Sequence, residues 1–183
     1  MTGDWDAVFV DRDGTLNAAA DPGGYVLHPQ QVRLLDGAGA AVARLNERGI
    51  EVHVVTNQRC VALGLLDDAG LVEVNRALCA LLAAEGARVD SIQVCPHDIG
   101  SCACRKPADG LVRRVLEQRP YLRGQRCVVV GDSPSDARVG DRLGLLRVLV
   151  GRHPDGAPAD LVADDLADAV ERLLSRPTPR RLA

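Results

Sequence analysis

Asp11 and Asp13, one residue apart behind the apolar run Val8-Phe9-Val10, are the residues of this chain best placed to do chemistry. The run reads as a buried strand, and Gly14 as the turn that ends it. Residues i and i+2 of a strand point the same way. The two carboxylates should therefore project together from the strand's carboxyl end, where open α/β sheets bind ligands. Carboxylates crowded in this way repel each other and invite a divalent cation, and an oxygen-rich site suits magnesium. One aspartate is then free to attack an electrophile and the other to move a proton. On these residues alone, a polar turn that happens to carry two acids remains the plainer alternative.

Three other stretches place polar groups at the ends of apolar runs. Val52-His53-Val54-Val55 leads into Thr56-Asn57-Gln58, where a threonine can hold a phosphate oxygen through its hydroxyl or simply cap a turn. Cys104-Arg105-Lys106-Pro107 stands before a helix start, with Pro107 suited to the first helical position. Lys106 can neutralise both a phosphate and a nucleophilic carboxylate, and Arg105 can grip a second anionic group. Val128-Val129-Val130-Gly131-Asp132 repeats the opening theme and offers Asp132 as a further cation ligand. Asp136 falls in the first turn of the next helix, where an acid is favoured for capping alone, and is expected to act from behind the ligands.

Cys95, His97, Cys102 and Cys104 put three thiols and an imidazole within ten residues, a complete tetrahedral set for a structural zinc with no open position. An incidental or reactive cysteine cluster is the alternative. Of the other cysteines, Cys79 and Cys127 sit in apolar patterns and are expected in the core. His53, in an apolar strand, reads as a packed or edge residue, and His28 and His153 have no assigned chemistry.

The elements that must position these groups alternate along the chain. Strands are expected at the opening run, Ile50 to Val55, Ser91 to Val94, Arg126 to Val130 and Arg147 to Val150, with a short edge strand at Leu161-Val162. Helices are expected around Ala38, Ala41, Val42 and Leu45, then over Asp67 to Glu85, Asp109 to Gln118, Pro134 to Arg142 and Leu166 to Leu174. A loop runs through Asp21-Pro22-Gly23-Gly24, and the Arg- and Pro-containing tail, 176–183, is expected to fray. This order predicts a Rossmann-like, doubly wound parallel sheet with helices on both faces, as one domain over 1–183. No stretch between the first strand and its helix has room for a large cap domain, so the site should be open.

Composition agrees. The chain has 183 residues, 46% of them hydrophobic but only 2% aromatic, so Val, Leu, Ala and Ile must build the core. A net charge of −3 gives no general attraction to nucleic acid or anionic membrane. Asp4 and Asp6 interrupt any signal-peptide pattern, and no apolar run is long enough to span a membrane. A cytoplasmic monomer without nucleic acid or membrane partners is the default expectation.

In order, Asp11-x-Asp13-Gly14-Thr15, Thr56, Lys106 and Asp132 resemble the four motifs of the haloacid dehalogenase superfamily of aspartate-nucleophile phosphatases, over residues 6 to about 150. The zinc loop over 95–104, running into Arg105-Lys106-Pro107, is similar to that of the D-glycero-D-manno-heptose 1,7-bisphosphate phosphatases, a branch shared with the histidinol-phosphate phosphatases. The resemblance implies Asp11 as nucleophile and Asp13 as acid and base. It implies magnesium held by the Asp11 carboxylate, the Asp13 backbone carbonyl and Asp132, with Thr56 and Lys106 on the phosphate. Asn57, Gln58, Arg59 and Arg105 would border the substrate, and zinc on Cys95, His97, Cys102 and Cys104 would pin the loop that aims Arg105 and Lys106. The implied reaction is removal of the 7-phosphate of the heptose bisphosphate through an aspartyl-phosphate. Histidinol phosphate is the rival substrate. A nucleic-acid 3′-phosphatase is disfavoured by the acidic balance and few aromatics, and a non-catalytic zinc-stabilised module by the intact set of acids and lysine.

Two features depart from the family pattern. The spacer between His97 and Cys102 is short. After Gln58, where the family reads Ser-Gly-Ile and then Arg-Gly, this chain has Arg59-Cys60-Val61 and then Leu63-Gly64. Arg59 is the candidate replacement for the missing arginine.

Overall fold

A computed structural model describes residues 5–20, 24–153 and 158–176. Six strands, β1 (Ala7–Val10), β2 (Glu51–Asn57), β3 (Ser91–Cys95), β4 (Cys127–Gly131), β5 (Leu146–Val150) and β6 (Leu161–Ala163), form one sheet in the order β3-β2-β1-β4-β5-β6. Every neighbouring pair is parallel, so all carboxyl ends lie on one edge. The strand order reverses between β1 and β4, and ligands of such sheets bind in the crevice at that reversal.

The valine-rich strands are buried on both faces, as a sheet covered by helices requires. Val8, Val10, Val52, Val54, Val128 and Val130 pack against α1 (Ala38–Glu47), α2 (Asp68–Ala84) and α5 (Leu166–Ser175). The alternate residues Ala7, Phe9, Val55 and Val129 pack against α3 (Gly110–Gln118) and α4 (Pro134–Leu143). The helix starts are written locally. Asp67 accepts the Gly70 N–H at α2, and Ser133 and Asp136 form a capping box around Pro134 at α4.

Within these elements the structure moves some boundaries. β2 runs two residues beyond Val55, through Asn57, because β3 pairs with it that far. Helix α3 begins at Gly110, so Pro107 lies in the turn before it rather than at its first position. Among the described residues, the span from β1 to α1 is loop with a single 3-10 turn at Pro29–Gln31. His53 is fully buried, its ring tilted on Phe9 at 5.4 Å and Nδ1 2.9 Å from Ser91 Oγ. Burial, with Arg119 nearby, lowers its pKa. Cys127 is buried in the core, whereas Cys79 is half-buried. Residues 21–23 of the expected loop and 177–183 of the expected tail lie outside the described residues. Among those described, no helix is long and apolar enough to cross a membrane.

Candidate active site

The reversal between β1 and β4 sets the site. Val10 is level with Val54 and Val130 across the three central strands, and Asp11 follows at once, its N–H still bonded to the Val130 carbonyl at 2.9 Å. The β4 strand ends at Gly131, which puts Asp132 beside it. Lys106 arrives from the loop after β3, and Asp136 from the first turn of α4.

Lys106 is the electrostatic centre. Its Nζ stands 2.8 Å from Asp11 Oδ1 and 2.6 Å from Asp136 Oδ1, an ion pair with each, with only 3% of the lysine side chain exposed. Burial acts to lower the lysine's pKa, but the two aspartates outweigh it and raise it. Burial pushes the Asp11 carboxyl up to about 7, Lys106 opposing the rise and Asp136 adding to it. Burial and Asp136 also raise Asp132. Asp136 is spent inside the protein, since its Oδ2 accepts from Ser133 N at 3.2 Å and Ser133 Oγ at 3.0 Å. It therefore holds Lys106, as expected of a residue behind the ligands.

Carboxylate oxygens of Asp11, Asp132 and Asp136 lie within 4.8 Å of one another, a set that fits a divalent cation. With Asp136 already bonded, Asp11 and Asp132 are the members left to face one. Asp11 Oδ1 takes Lys106 and the Arg12 N–H at 2.7 Å. Its Oδ2 has no hydrogen-bond partner among the described residues. Gly14 makes this packing feasible: its φ is +85°, and a Cβ there would stand 2.1 Å from Asp132 Oδ2.

Asp13 is held differently. Arg12 Nε and Asn17 Nδ2 donate to its Oδ1 at 3.1 and 2.9 Å, while Arg12 Nη2 and Gln58 Nε2 donate to its Oδ2 at 2.8 and 2.7 Å. Gln58 Nε2 also donates to Thr56 Oγ1 at 2.8 Å. An amide NH₂ only donates, so the Thr56 hydroxyl keeps its own hydrogen free for another acceptor.

The two amides expected beside the substrate both bond protein groups. Gln58 is buried beneath Asp13. Asn57 clamps the Lys106 backbone, donating to its carbonyl at 3.1 Å and accepting its N–H at 3.0 Å. The reason is local: β2 continues through Asn57, which puts the Asn57 side chain beside the loop after β3, while Gln58 turns to Asp13 and Thr56. Arg59 Nε reaches Asp98 Oδ1 at 2.6 Å. Arg105 carries a buried Nη1 with no hydrogen-bond partner. Sequence reasoning missed Arg12, 1% exposed. A charge between two acids, in the turn that directly follows a buried strand, was the available signal.

Cys95, the last residue of β3, starts the metal loop. Its Sγ lies 3.6 Å from His97 Nδ1 and 3.5 Å from Cys102 Sγ, and Cys104 Sγ lies 3.4 Å from Cys102 Sγ and 3.3 Å from His97 Nδ1. Tetrahedral zinc with its usual bond lengths needs ligand separations of about 3.6–3.8 Å, so the four atoms fit that ion. Burial acts upward on Cys102, but the backbone amides of Cys104 and Arg105 bring it down to about 6. Burial and the neighbouring thiols push Cys104 up to about 12. Such a stack of thiols is eased by a cation.

Comparison with known proteins agrees with this geometry. Residues 103–169 match the HAD-hydrolase-like family model. The D-glycero-alpha-D-manno-heptose-1,7-bisphosphate 7-phosphatase of Mycobacterium bovis is 35% identical over 165 residues, covering 87% of this chain and 86% of that protein. The D-glycero-beta-D-manno-heptose-1,7-bisphosphate 7-phosphatase of Bordetella bronchiseptica is 35% identical over 181 residues, covering 91% and 97%. The crystal structure of D,D-heptose 1,7-bisphosphate phosphatase from B. bronchiseptica, complexed with magnesium and phosphate, superimposes with a TM-score of 0.82 at 33% identity, covering 92% of this chain and 98% of that one.

Proposed function

The chain belongs to the D-glycero-D-manno-heptose 1,7-bisphosphate 7-phosphatase family of HAD-like hydrolases, and from that premise we propose that it is a magnesium-dependent phosphatase removing the 7-phosphate of this heptose bisphosphate. The observation that carries the reading is Lys106, buried between Asp11 and Asp136 at the point where the parallel sheet reverses its strand order. A carboxylate so flanked can approach an anionic phosphate because the ammonium offsets the repulsion between them.

In the first step Asp11 Oδ2 attacks phosphorus. An acyl-phosphate bond forms, the ester P–O bond breaks, and its electron pair leaves with the sugar oxygen, to which Asp13 gives a proton. In the second step the Asp13 carboxylate takes a proton from water as that water attacks phosphorus. The acyl-phosphate bond breaks, returning the Asp11 carboxylate, inorganic phosphate and a protonated Asp13. Thr56, with its hydroxyl hydrogen free, and Lys106 hold the phosphoryl oxygens. Asp11, Asp132 and the Asp13 backbone carbonyl would hold magnesium, which supplies positive charge against the phosphoryl oxygens.

Zinc on Cys95, His97, Cys102 and Cys104 would fasten the loop that carries Arg105 and Lys106. The unpartnered Nη1 of Arg105, with Arg59 of the segment after β2 tied to the same loop through Asp98, suits the second phosphate. The reading is of a monomer acting on a small molecule. Clustered free thiols at ligand spacing support a reducing, cytoplasmic setting.

The test is phosphate release with magnesium from both anomers of the heptose bisphosphate and from histidinol phosphate at matched concentration. Preference for a heptose anomer, abolished in Asp11→Asn, is expected. Preference for histidinol phosphate, or turnover retained in Asp11→Asn, would overturn it.

A further inference from the structure

Asp13 sits in a cradle that neither its position in the chain nor its exposure explains. Arg12, the residue between the two aspartates, turns onto the α1–α2 face of the sheet and is 1% exposed. A buried guanidinium needs its donors paired. Its Nη1 is taken by Asn75 Oδ1 of α2 at 3.1 Å, and its Nε and Nη2 fork onto both oxygens of Asp13 at 3.1 and 2.8 Å. Gln58, also buried, closes the other side at 2.7 Å. The orientation of Gln58 is itself set, because Cys60 Sγ donates to Gln58 Oε1 at 3.6 Å while Nε2 spans Asp13 and Thr56.

We propose that Arg12 and Gln58 are positioning residues that aim the Asp13 carboxylate at the leaving oxygen and, in the second step, at the attacking water. Arg12 fixes the plane of the carboxylate through a two-point fork anchored on Asn75. Gln58 fixes its rotation and locks it to Thr56, so the group that moves the proton and a group that holds the phosphate share one nitrogen. The hydrogen bonds to Asp13 from Arg12, Asn17 and Gln58 all come from groups that donate, and together they set the orientation of the carboxylate. The inference rests on the aspartate-based mechanism proposed above and adds to it what sets the geometry of its second aspartate.

The variants are Arg12→Lys, which keeps the charge but loses the fork, and Gln58→Met, which keeps the shape but loses the donor. Each is assayed on p-nitrophenyl phosphate, whose phenolate departs without a proton, and on alkyl phosphate monoesters, whose alkoxides need one. The heptose bisphosphate is the first alkyl ester and glycerol phosphate the second. The expected result is a loss in kcat of about 10²-fold on the alkyl esters with KM little changed, since misaimed proton transfer costs about that much. With p-nitrophenyl phosphate the first turnover stays near wild type. Nitrophenol then appears as a burst of one equivalent, because hydrolysis of the aspartyl-phosphate still needs Asp13.

A merely structural role would slow both ester classes alike, without a burst, and that result overturns the inference, as does wild-type kcat on the alkyl esters. If Arg12→Lys fails to fold, judged by its circular dichroism melt, Gln58→Met decides the question. A wild-type enzyme that ignores the heptose bisphosphate would refute the proposed substrate, while the glycerol phosphate and p-nitrophenyl phosphate arms would still decide the roles of Arg12 and Gln58.

Discussion

Replacing Lys106 with methionine removes the cation between two buried carboxylates and preserves the length of the side chain. In the wild-type chain Nζ stands 2.8 Å from Asp11 and 2.6 Å from Asp136. Without it the two acids face each other with oxygens no more than 4.8 Å apart. At an effective dielectric constant of about 20, unit charges at that separation repel by about 3.5 kcal/mol, within the range of about 3–5 kcal/mol for breaking a buried ion pair. For a chain of this size the loss corresponds to a melting temperature lower by about 7–14 °C. The assay is thermal melting in EDTA from pH 8 to pH 5, so that no divalent cation substitutes for the lysine. The sign of the pH effect follows from the carboxyls. Burial and Asp136 already raise Asp11 to about 7 against the opposition of Lys106, and losing that opposition raises it further. A carboxyl raised in the folded state stabilises the fold below its unfolded value and loses that contribution as pH rises through the folded one. The deficit of Lys106→Met is therefore greatest at pH 8 and narrows toward pH 5, where a proton replaces the missing charge. A melting temperature within 2 °C (about 1 kcal/mol or less) of wild type at pH 8, or a deficit constant across the range, would refute the reasoning.

Other consequences are as direct. Metal analysis should find one zinc per chain; Cys104→Ser should lose it, and a strong chelator should lower both melting temperature and turnover until zinc is restored. Gly131→Ala would place a Cβ 2.2 Å from Asp136 Cγ. Displacing that carboxylate should cost about 1–3 kcal/mol and reduce kcat, read by melting and by steady-state kinetics. Asp160 accepts from Arg147 N, Nε and Nη2, and the side-chain bond to Arg147 holds its carboxyl below the ordinary value despite partial burial. A depressed carboxyl stabilises above its unfolded value and loses that as pH falls through the folded one. Asp160→Asn should thus cost up to about 1 kcal/mol at pH 7, and denaturant titration should find the difference vanishing in acid.

The sheet was legible because its strands are short apolar runs, the central ones valine-rich and followed by a polar group, and a helix lies in the crossovers that join β1 to β5. The boundaries that moved did so for reasons outside the local pattern. Asn57 belongs to β2 because β3 pairs with it. Pro107 stays outside α3 because the chain must first turn Lys106 toward Asp11. Asp11 and Asp132 could be placed from the strand ends, and Lys106 and Asp136 from the segments that follow β3 and β4, since a parallel sheet gathers those ends on one edge. The partners of Asn57 and Gln58 could not, because those of Asn57 depend on how the loop after β3 folds back over β2, and those of Gln58 on the turn after β1 that carries Asp13.

The two departures from the family pattern were read as separate, one in the metal loop and one after Gln58, but they meet in space. Asp98, in the short spacer after His97, pairs with Arg59, and the Ala62 N–H bonds to the Pro96 carbonyl at 3.1 Å. Arg59 and Asp98 are both substantially exposed, and such a pair contributes little to stability, so its consequence is geometric: it ties the segment after β2 to the metal loop. The next residue, Cys60, faces inward and sets the Gln58 amide that spans Asp13 and Thr56. Arg59 thus belongs to the outer wall of the site and Cys60 to its inner one. A change at Arg59-Cys60 therefore reaches the metal loop on one side, through Asp98, and Asp13 on the other, through Gln58.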